Sequence, residues 1–337
     1  MQLRPSSKKN VSRKRHHFSL LVLAVVVAAG LALYVERQPV HDWLRLRSFK
    51  PDTRVAALVT DDAMTPYARH LFYINWPVIQ DRSAFAQDCP AGNEKTIVLG
   101  CYHSGENGIF LLGVSDPRLS GVEEVTAAHE MLHAAYARLS ASERNRVDAM
   151  LLNYYHHDLT DQRIKTTMDE YQKSEPDQLV NEMHSVFGTE IAQLPAPLEA
   201  YYKQYFTNRQ AVATYAAHYQ QAFTSRQQKL QTYNEQLKSL KVEIDAKKAD
   251  IQARYADLQS RQTQLQQEKA AGNYQAYNAG VDSYNQQVSE YRQVVTEVHN
   301  LITQYNQIVD EHNALVLEEQ QLSQDLQGDN APSASTQ

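Results

Sequence analysis

The chain has 337 residues, 42% of them hydrophobic and 21% charged, with a net charge of −6. That is enough apolar material for one or two packed domains and excludes a wholly disordered chain. The single basic run, from Arg4 through Lys8, Lys9, Arg13 and Lys14 to Arg15, stands beside an apolar segment, so it reads as a topology signal and nucleic acid is not an expected partner.

In chain order, residues 1–16 form a basic tail. Phe18–Val35 then carries no charge for eighteen residues. At about 1.5 Å per residue this stretch crosses most of a bilayer's hydrocarbon core. The sequence therefore predicts a single transmembrane anchor over 17–35, a cytoplasmic N-terminus, and an extracytoplasmic remainder at the cell membrane. A cleaved signal peptide is the alternative, with Gly30-Leu31-Ala32 as its only small-x-small site. Both readings export Cys89 and Cys101, the only two cysteines. Compartment and even count predict a disulfide between them, and the absence of CxxC spacing argues against metal ligation.

Residues 36–195 read as one domain. A short amphipathic piece runs from Glu36 to about Arg47, a helix is expected over Arg54–Met64, and Leu71–Asn75 is apolar and aromatic enough for a strand. KTIVLGCY (Lys95–Tyr102) and GIFLLGV (Gly108–Val114) read as two strands around the turn-rich HSGEN. A helix starts after Ser120-Gly121. Ser140 and Glu143 form a capping box for the next, which runs to about His157. Ser174-Glu175-Pro176 supplies a capping serine and an early proline for a third, ending near Gly188, with Glu190 beyond it. Leu194-Pro195-Ala196-Pro197 marks a boundary.

Residues 196–326 then change character. Leu230, Leu237, Ile244, Ile251, Leu258 and Leu265 recur every seven residues. After Gly272-Asn273 a second line runs from Tyr274 through Val281, Val288, Val295, Ile302 and Val309 to Val316, interleaved with Tyr277, Tyr284, Tyr291, Val298 and Tyr305. Sustained heptads broken once at Gly-Asn predict an antiparallel coiled-coil hairpin. Lys247, Arg254 and Arg261 occupy the first arm's alternate core line, which predicts loose packing midway or a partner there. Residues 327–337 are a polar tail with the composition of a disordered segment.

The chemistry concentrates in TAAHEMLHAAY, Thr126–Tyr136. On a helix, His129 and His133 project from one face about 6 Å apart and can converge on one ion. Glu130, beside the first histidine, can take a proton from a water activated by zinc and pass it to a leaving amine. Val125, His129, Leu132, His133 and Tyr136 share a face, so both histidines look inward, where each would otherwise need its own buried partners. Two histidines alone do not complete such a site, and DQLVNEMHSVFGTE downstream offers candidates for a third ligand. There Glu182 is a carboxylate on the stripe of Leu179, Met183 and Val186, and buried carboxylates are rare unless paired or metal-bound. His184 and Glu190 stand as its alternatives. The adjacent pairs His16-His17 and His156-His157 cannot share an ion well and read as surface residues.

His129, Glu130, His133 and the Asn181-Glu182 pair resemble the gluzincin zinc metallopeptidases, across two short helices. A metzincin is excluded, since its glycine and third histidine would fall at Tyr136 and Leu139. The resemblance implies a zincin-like α+β, mostly α, domain with a small sheet. It implies Zn2+ held by His129, His133 and Glu182, Glu130 as general base, and a peptide or protein substrate. It also implies an edge strand beside the cleft, here GIFLLGV, that pairs with substrate, and a tyrosine or histidine that stabilises the oxyanion, for which Tyr201 and Tyr202 are candidates. The family's aspartate four residues after the third ligand is Val186 here, so the partner that orients the ligands must come from elsewhere. The leading expectation is thus a membrane-anchored metallopeptidase carrying a coiled coil that positions it, self-associates or binds an envelope partner. The rival is an envelope coiled-coil scaffold with a structural or inactive zinc domain. An amidase or other metal hydrolase with the same ligands is a third.

Overall fold

The computed structural model describes residues 37–90, 98–104 and 108–327. The basic tail, the apolar stretch Phe18–Val35, the start of the KTIVLGCY strand, part of the HSGEN turn and the tail from 328 lie outside them. The expected membrane localisation is corrected: among the described residues no helix is long and apolar enough to cross a membrane.

The chain is mostly helical with one small sheet. Helices α1 (Arg37–Ser48), α2 (Thr53–Asp61) and α3 (Pro66–Ile74) lead into β1 (Val78–Gln80), α4 (Arg82–Asp88), β2 (Gly100–His103) and β3 (Gly108–Leu112). A 3-10 turn at Pro117–Leu119 precedes α5 (Val122–Ala137), α6 (Ala141–His157), α7 (Gln162–Ser174), α8 (Leu179–Glu190) and α9 (Ala196–Tyr202). Two long helices follow, α10 (Arg209–Ala270) and α11 (Tyr274–Gln327). Two compact units result, one of residues up to Gly113 with Gly121–Ala216, the other of Val114–Ser120 with Ala217 onward.

In the first unit, side-chain caps start several of the helices. Asp52, Thr65, Asp81 and Ser140 each accept a bond from a backbone N–H of the first turn, and Ser140 and Glu143 form the reciprocal capping box. Thr65 followed by Pro66 converts Leu71–Asn75, expected as a strand, into the end of α3. Leu71, Phe72 and Ile74 are buried there, and the local apolar run was short enough to serve either period. The strand order is β1-β3-β2, with β1 parallel and β2 antiparallel to β3. GIFLLGV is therefore the central strand, with β1 at one edge and β2 at the other. Cys89 and Cys101 are bridged, with Cα atoms 6.0 Å apart, tying that edge to the end of α4.

Helix α5 is buried nearly all round, with Ala127, Ala128, Ala134 and Ala135 at most 1% exposed. Small side chains let the sheet, α3 and α8 all approach it. The start of α8 also differs from expectation. Ser174 ends α7, and α8 begins three residues after Pro176, with Gln178 at its N-cap and no side-chain cap bond. Glu190 is its last residue.

In the second unit α10 and α11 run antiparallel. Tyr233 bonds Glu311, Lys247 bonds Glu297 and Arg254 bonds Glu290, partner numbers falling as the first rise. Gly272 makes the reversal with φ +79°. Tyr233, Leu240 and Ile308 form a buried cluster, flanked by Leu237, Leu301, Tyr305 and Leu315. Where Lys247 and Arg254 interrupt the apolar line, facing glutamates on α11 pair with them at 2.7 and 3.3 Å.

Candidate metal centre

Helix geometry puts His129 and His133 one turn apart on α5, and α8 brings Glu182 against them. His129 Nε2 and His133 Nε2 are 2.9 Å apart. Glu182 Oε2 lies 3.6 Å from the former, and Oε1 3.4 Å from the latter. Ligand atoms about 2.0–2.1 Å from a tetrahedral zinc stand roughly 3.3 Å from one another. The three separations straddle that value.

Proton placement supports the fit. His133 Nδ1 is 3.0 Å from Asn181 Oδ1, and the Asn181 amide nitrogen donates to Gln178 Oε1 at 3.1 Å. That second bond fixes which end of the amide faces the ring. An amide oxygen only accepts, so His133 carries a proton on Nδ1, and Nε2 is the ring atom turned toward Glu182 and His129. Glu182 Oε2 is buried and makes no hydrogen bond. Burial pushes the Glu182 carboxyl up, but the charge of His133, the approach of His129 and a hydrogen bond from Tyr171 outweigh it and hold the group below its ordinary range. A buried carboxylate with an orphaned oxygen, facing two imidazole nitrogens, is a donor set suited to a borderline divalent cation such as zinc.

Glu130 is 5% exposed and lies against β2. Gly100 is the reason the strand fits there: a Cβ on Gly100 would meet Thr126 Cγ2 at 2.6 Å, Glu130 Oε1 at 2.8 Å and Glu130 Cγ at 2.9 Å. On the other flank, a Cβ on Gly188 would meet Leu132 Cδ1 at 2.6 Å and a Tyr202 ring carbon at 2.7 Å, so that glycine sets how closely α8 packs on α5.

The other expected residues lie elsewhere. Glu190 pairs with Arg163 at 2.7 Å. His184 is fully buried, and its Nε2 is 2.8 Å from the Tyr201 hydroxyl. Burial first, then the neighbouring His133 and His129, hold its pKa down at about 3, so it is neutral. Tyr202 donates to the His184 carbonyl at 2.7 Å, and Tyr201 shares a 3.1 Å hydrogen bond with Tyr205. Both hydroxyls are thus engaged in the core with His184. Val186 is buried, and His156 and His157 are exposed.

Three residues escaped sequence reasoning: Tyr171, Asn181 as partner of His133, and Gly100. Tyr171 follows Ile164 and Met168 on the inward stripe of α7, a spacing that was readable. A ligating histidine's need for an acceptor on its second nitrogen pointed to the polar neighbour of Glu182. Gly100 left no signal, since its role depends on strand order. Comparison with known proteins finds no match: no family model, no curated protein and no solved structure matches the chain.

Proposed function

We propose that the chain is a zinc-dependent metallopeptidase of the gluzincin kind, with a zincin-like first unit. The observation that carries this reading is the convergence of two imidazole nitrogens and a carboxylate with one orphaned oxygen within 2.9–3.6 Å, with Glu130 next in sequence to the first ligand. His129, His133 and Glu182 would hold the ion. Bound zinc lowers the pKa of water near neutrality and polarises a carbonyl.

The chain's own residues do the rest. Glu130 is the base that accepts the proton of the attacking water and returns it to the leaving amine. Asn181 keeps His133 in the ligating tautomer, and Tyr171 steadies the Glu182 carboxylate. Burial of Glu130 against β2 restricts the water around it, which strengthens its electrostatic interaction with a reacting centre.

The test is a pair of variants in the full chain. Glu130→Gln keeps size and polarity and removes the proton acceptor, so bound zinc should remain while hydrolysis of a peptide library falls by about 10²–10⁴. Glu182→Ala should lose zinc and hydrolysis together. A Glu182→Ala protein with full zinc and full hydrolysis would refute the assignment. If neither variant alters hydrolysis but removal of residues 230–326 abolishes the cellular role, the scaffold reading takes its place.

A further inference from the structure

A second set of metal-binding side chains surrounds the disulfide. Cys89 closes α4, while Cys101 and His103 sit two residues apart on β2 and therefore on one face of the strand. Their sulfur and ring-nitrogen atoms all lie within 4.8 Å of one another. His103 Nε2 is 3.3 Å from Cys101 Sγ and 2.8 Å from the Asp88 carbonyl oxygen. Because a carbonyl oxygen only accepts, Nε2 carries the proton while the bridge is intact. Cys101 and His103 are half-buried, so small solutes reach them. The Asp88 carboxylate is engaged by Gln80 Nε2 at 2.6 Å and does not crowd the three.

We infer that Cys89, Cys101 and His103 form a thiol-gated metal site that is closed by the disulfide and takes a zinc-like divalent cation when the bridge is reduced. A dithiol reductant supplies two electrons and two protons. The S–S bond breaks, two thiols form, and the reductant becomes its own disulfide. Metal binding then displaces the two thiol protons, and the His103 proton moves from Nε2 to Nδ1, freeing a lone pair. The result is a Cys2His set with water in the fourth position, a soft combination matched to zinc. Two sulfurs on one tetrahedral zinc stand about 3.8 Å apart, given Zn–S bonds near 2.3 Å. With Cα atoms 6.0 Å apart, side-chain rotation supplies that separation. This site is independent of the His129, His133 and Glu182 centre, and of whether the chain is a peptidase.

The experiment uses the full chain, oxidised and dithiol-reduced, titrated with Co2+ as an optical substitute for zinc and then analysed for zinc content. Reduction should add one equivalent of bound zinc per chain, whatever the other centre holds. It should also bring in a near-ultraviolet sulfur-to-cobalt charge-transfer band, which two histidines and a glutamate cannot produce. His103→Ala should weaken Co2+ binding in the reduced protein by roughly tenfold or more, as loss of even an indirect partner does at metal sites, with both thiols still titratable. Cys89→Ser/Cys101→Ser should lack the band under all conditions. No charge-transfer band, no added zinc, or a His103→Ala protein with unchanged affinity would each overturn the inference. So would a band that appears only in a reduced chain without its native circular dichroism, since that is capture by unfolded thiols.

Discussion

Replacing Gly100 with alanine tests the contact between the edge strand and the proposed base. The new Cβ would stand 2.6 Å from Thr126 Cγ2 and 2.8 Å from Glu130 Oε1, where carbon contacts relax only at about 3.5–4.0 Å. Relief therefore needs a displacement of about 1 Å, taken up by the strand, by Thr126 or by the Glu130 side chain. Thr126 cannot simply swing away, because it is buried and its hydroxyl donates to the Val122 carbonyl at 2.7 Å. Overpacking of this kind costs about 1–3 kcal/mol, which for a unit of this size lowers Tm by roughly 2–4 °C per kcal/mol. A displacement of about 1 Å at a catalytic group costs on the order of 10²-fold in rate. The expected outcome is normal zinc content, a lowered Tm, and kcat/KM down about 10²-fold. Repeating the substitution in a Glu130→Gln background isolates the route. If the loss passes through Glu130, the second substitution should add little to the first, a non-additivity expected of residues in contact. Wild-type turnover by Gly100→Ala, or an undiminished loss in the Glu130→Gln background, would refute the reasoning.

Three further outcomes follow from the same geometry. Asn181→Ala removes the acceptor that fixes the His133 tautomer and should weaken zinc binding by about 10–100-fold in chelator competition, with little change in Tm of the zinc-free protein. Removing the bridge with Cys89→Ser/Cys101→Ser opens a loop with a sequence separation of 12, and chain entropy assigns it about 3 kcal/mol, readable as a lower urea midpoint. Asp62 is fully buried with both carboxyl oxygens unbonded, and burial first, then Glu124 and Asp61, raise its pKa well above the ordinary value. Its raised value means that the stability associated with the neutral acid is fully present below the ordinary aspartate pKa and is lost as pH rises through the folded one. Asp62→Asn, neutral at every pH, should match wild type in Tm near about pH 4 and exceed it increasingly toward alkaline pH; an advantage independent of pH would contradict this.

What the sequence disclosed was local. The capping box at Ser140, the helix after Gly121, the turn at Gly272 and the inward carboxylate Glu182 each follow from residues within one or two helical turns, and periodicity reports such features well. What it concealed depended on contacts between distant segments. Leu71–Asn75 carries aromatic and apolar residues that suit a strand, and only the cap at Thr65 with Pro66 decides for helix. GIFLLGV looks like an edge strand until β1, three residues long and without a strong signal of its own, pairs along its other side. Ser174 looked like a cap because serine before Glu-Pro often is one, yet α7 extends to it and α8 starts without a side-chain cap. Lys247 and Arg254 read as defects in a core line, because the glutamates that answer them lie 50 and 36 residues away in sequence.

The same distinction bears on why the candidate metal centre lies on two helices and not on loops. Ligating atoms must hold their positions to within about half an ångström, and a loop anchors side chains less firmly than a buried helix. Helix α5 is fixed by apolar neighbours on nearly every side, so His129 and His133 have little freedom beyond their own rotamers. Helix α8 is fixed against it at Gly188, where the absence of a side chain lets Leu132 and Tyr202 pack into van der Waals contact. Glu182 lies six residues before Gly188 on the same helix, so that contact also sets the depth at which its carboxylate meets the imidazoles. Behind it, His184 with Tyr201, Tyr202 and Tyr205 forms a hydrogen-bonded polar core that resists rotation of α8 about its axis. The tyrosines that the resemblance nominated for transition-state chemistry are, in this arrangement, the residues that hold α8 in register.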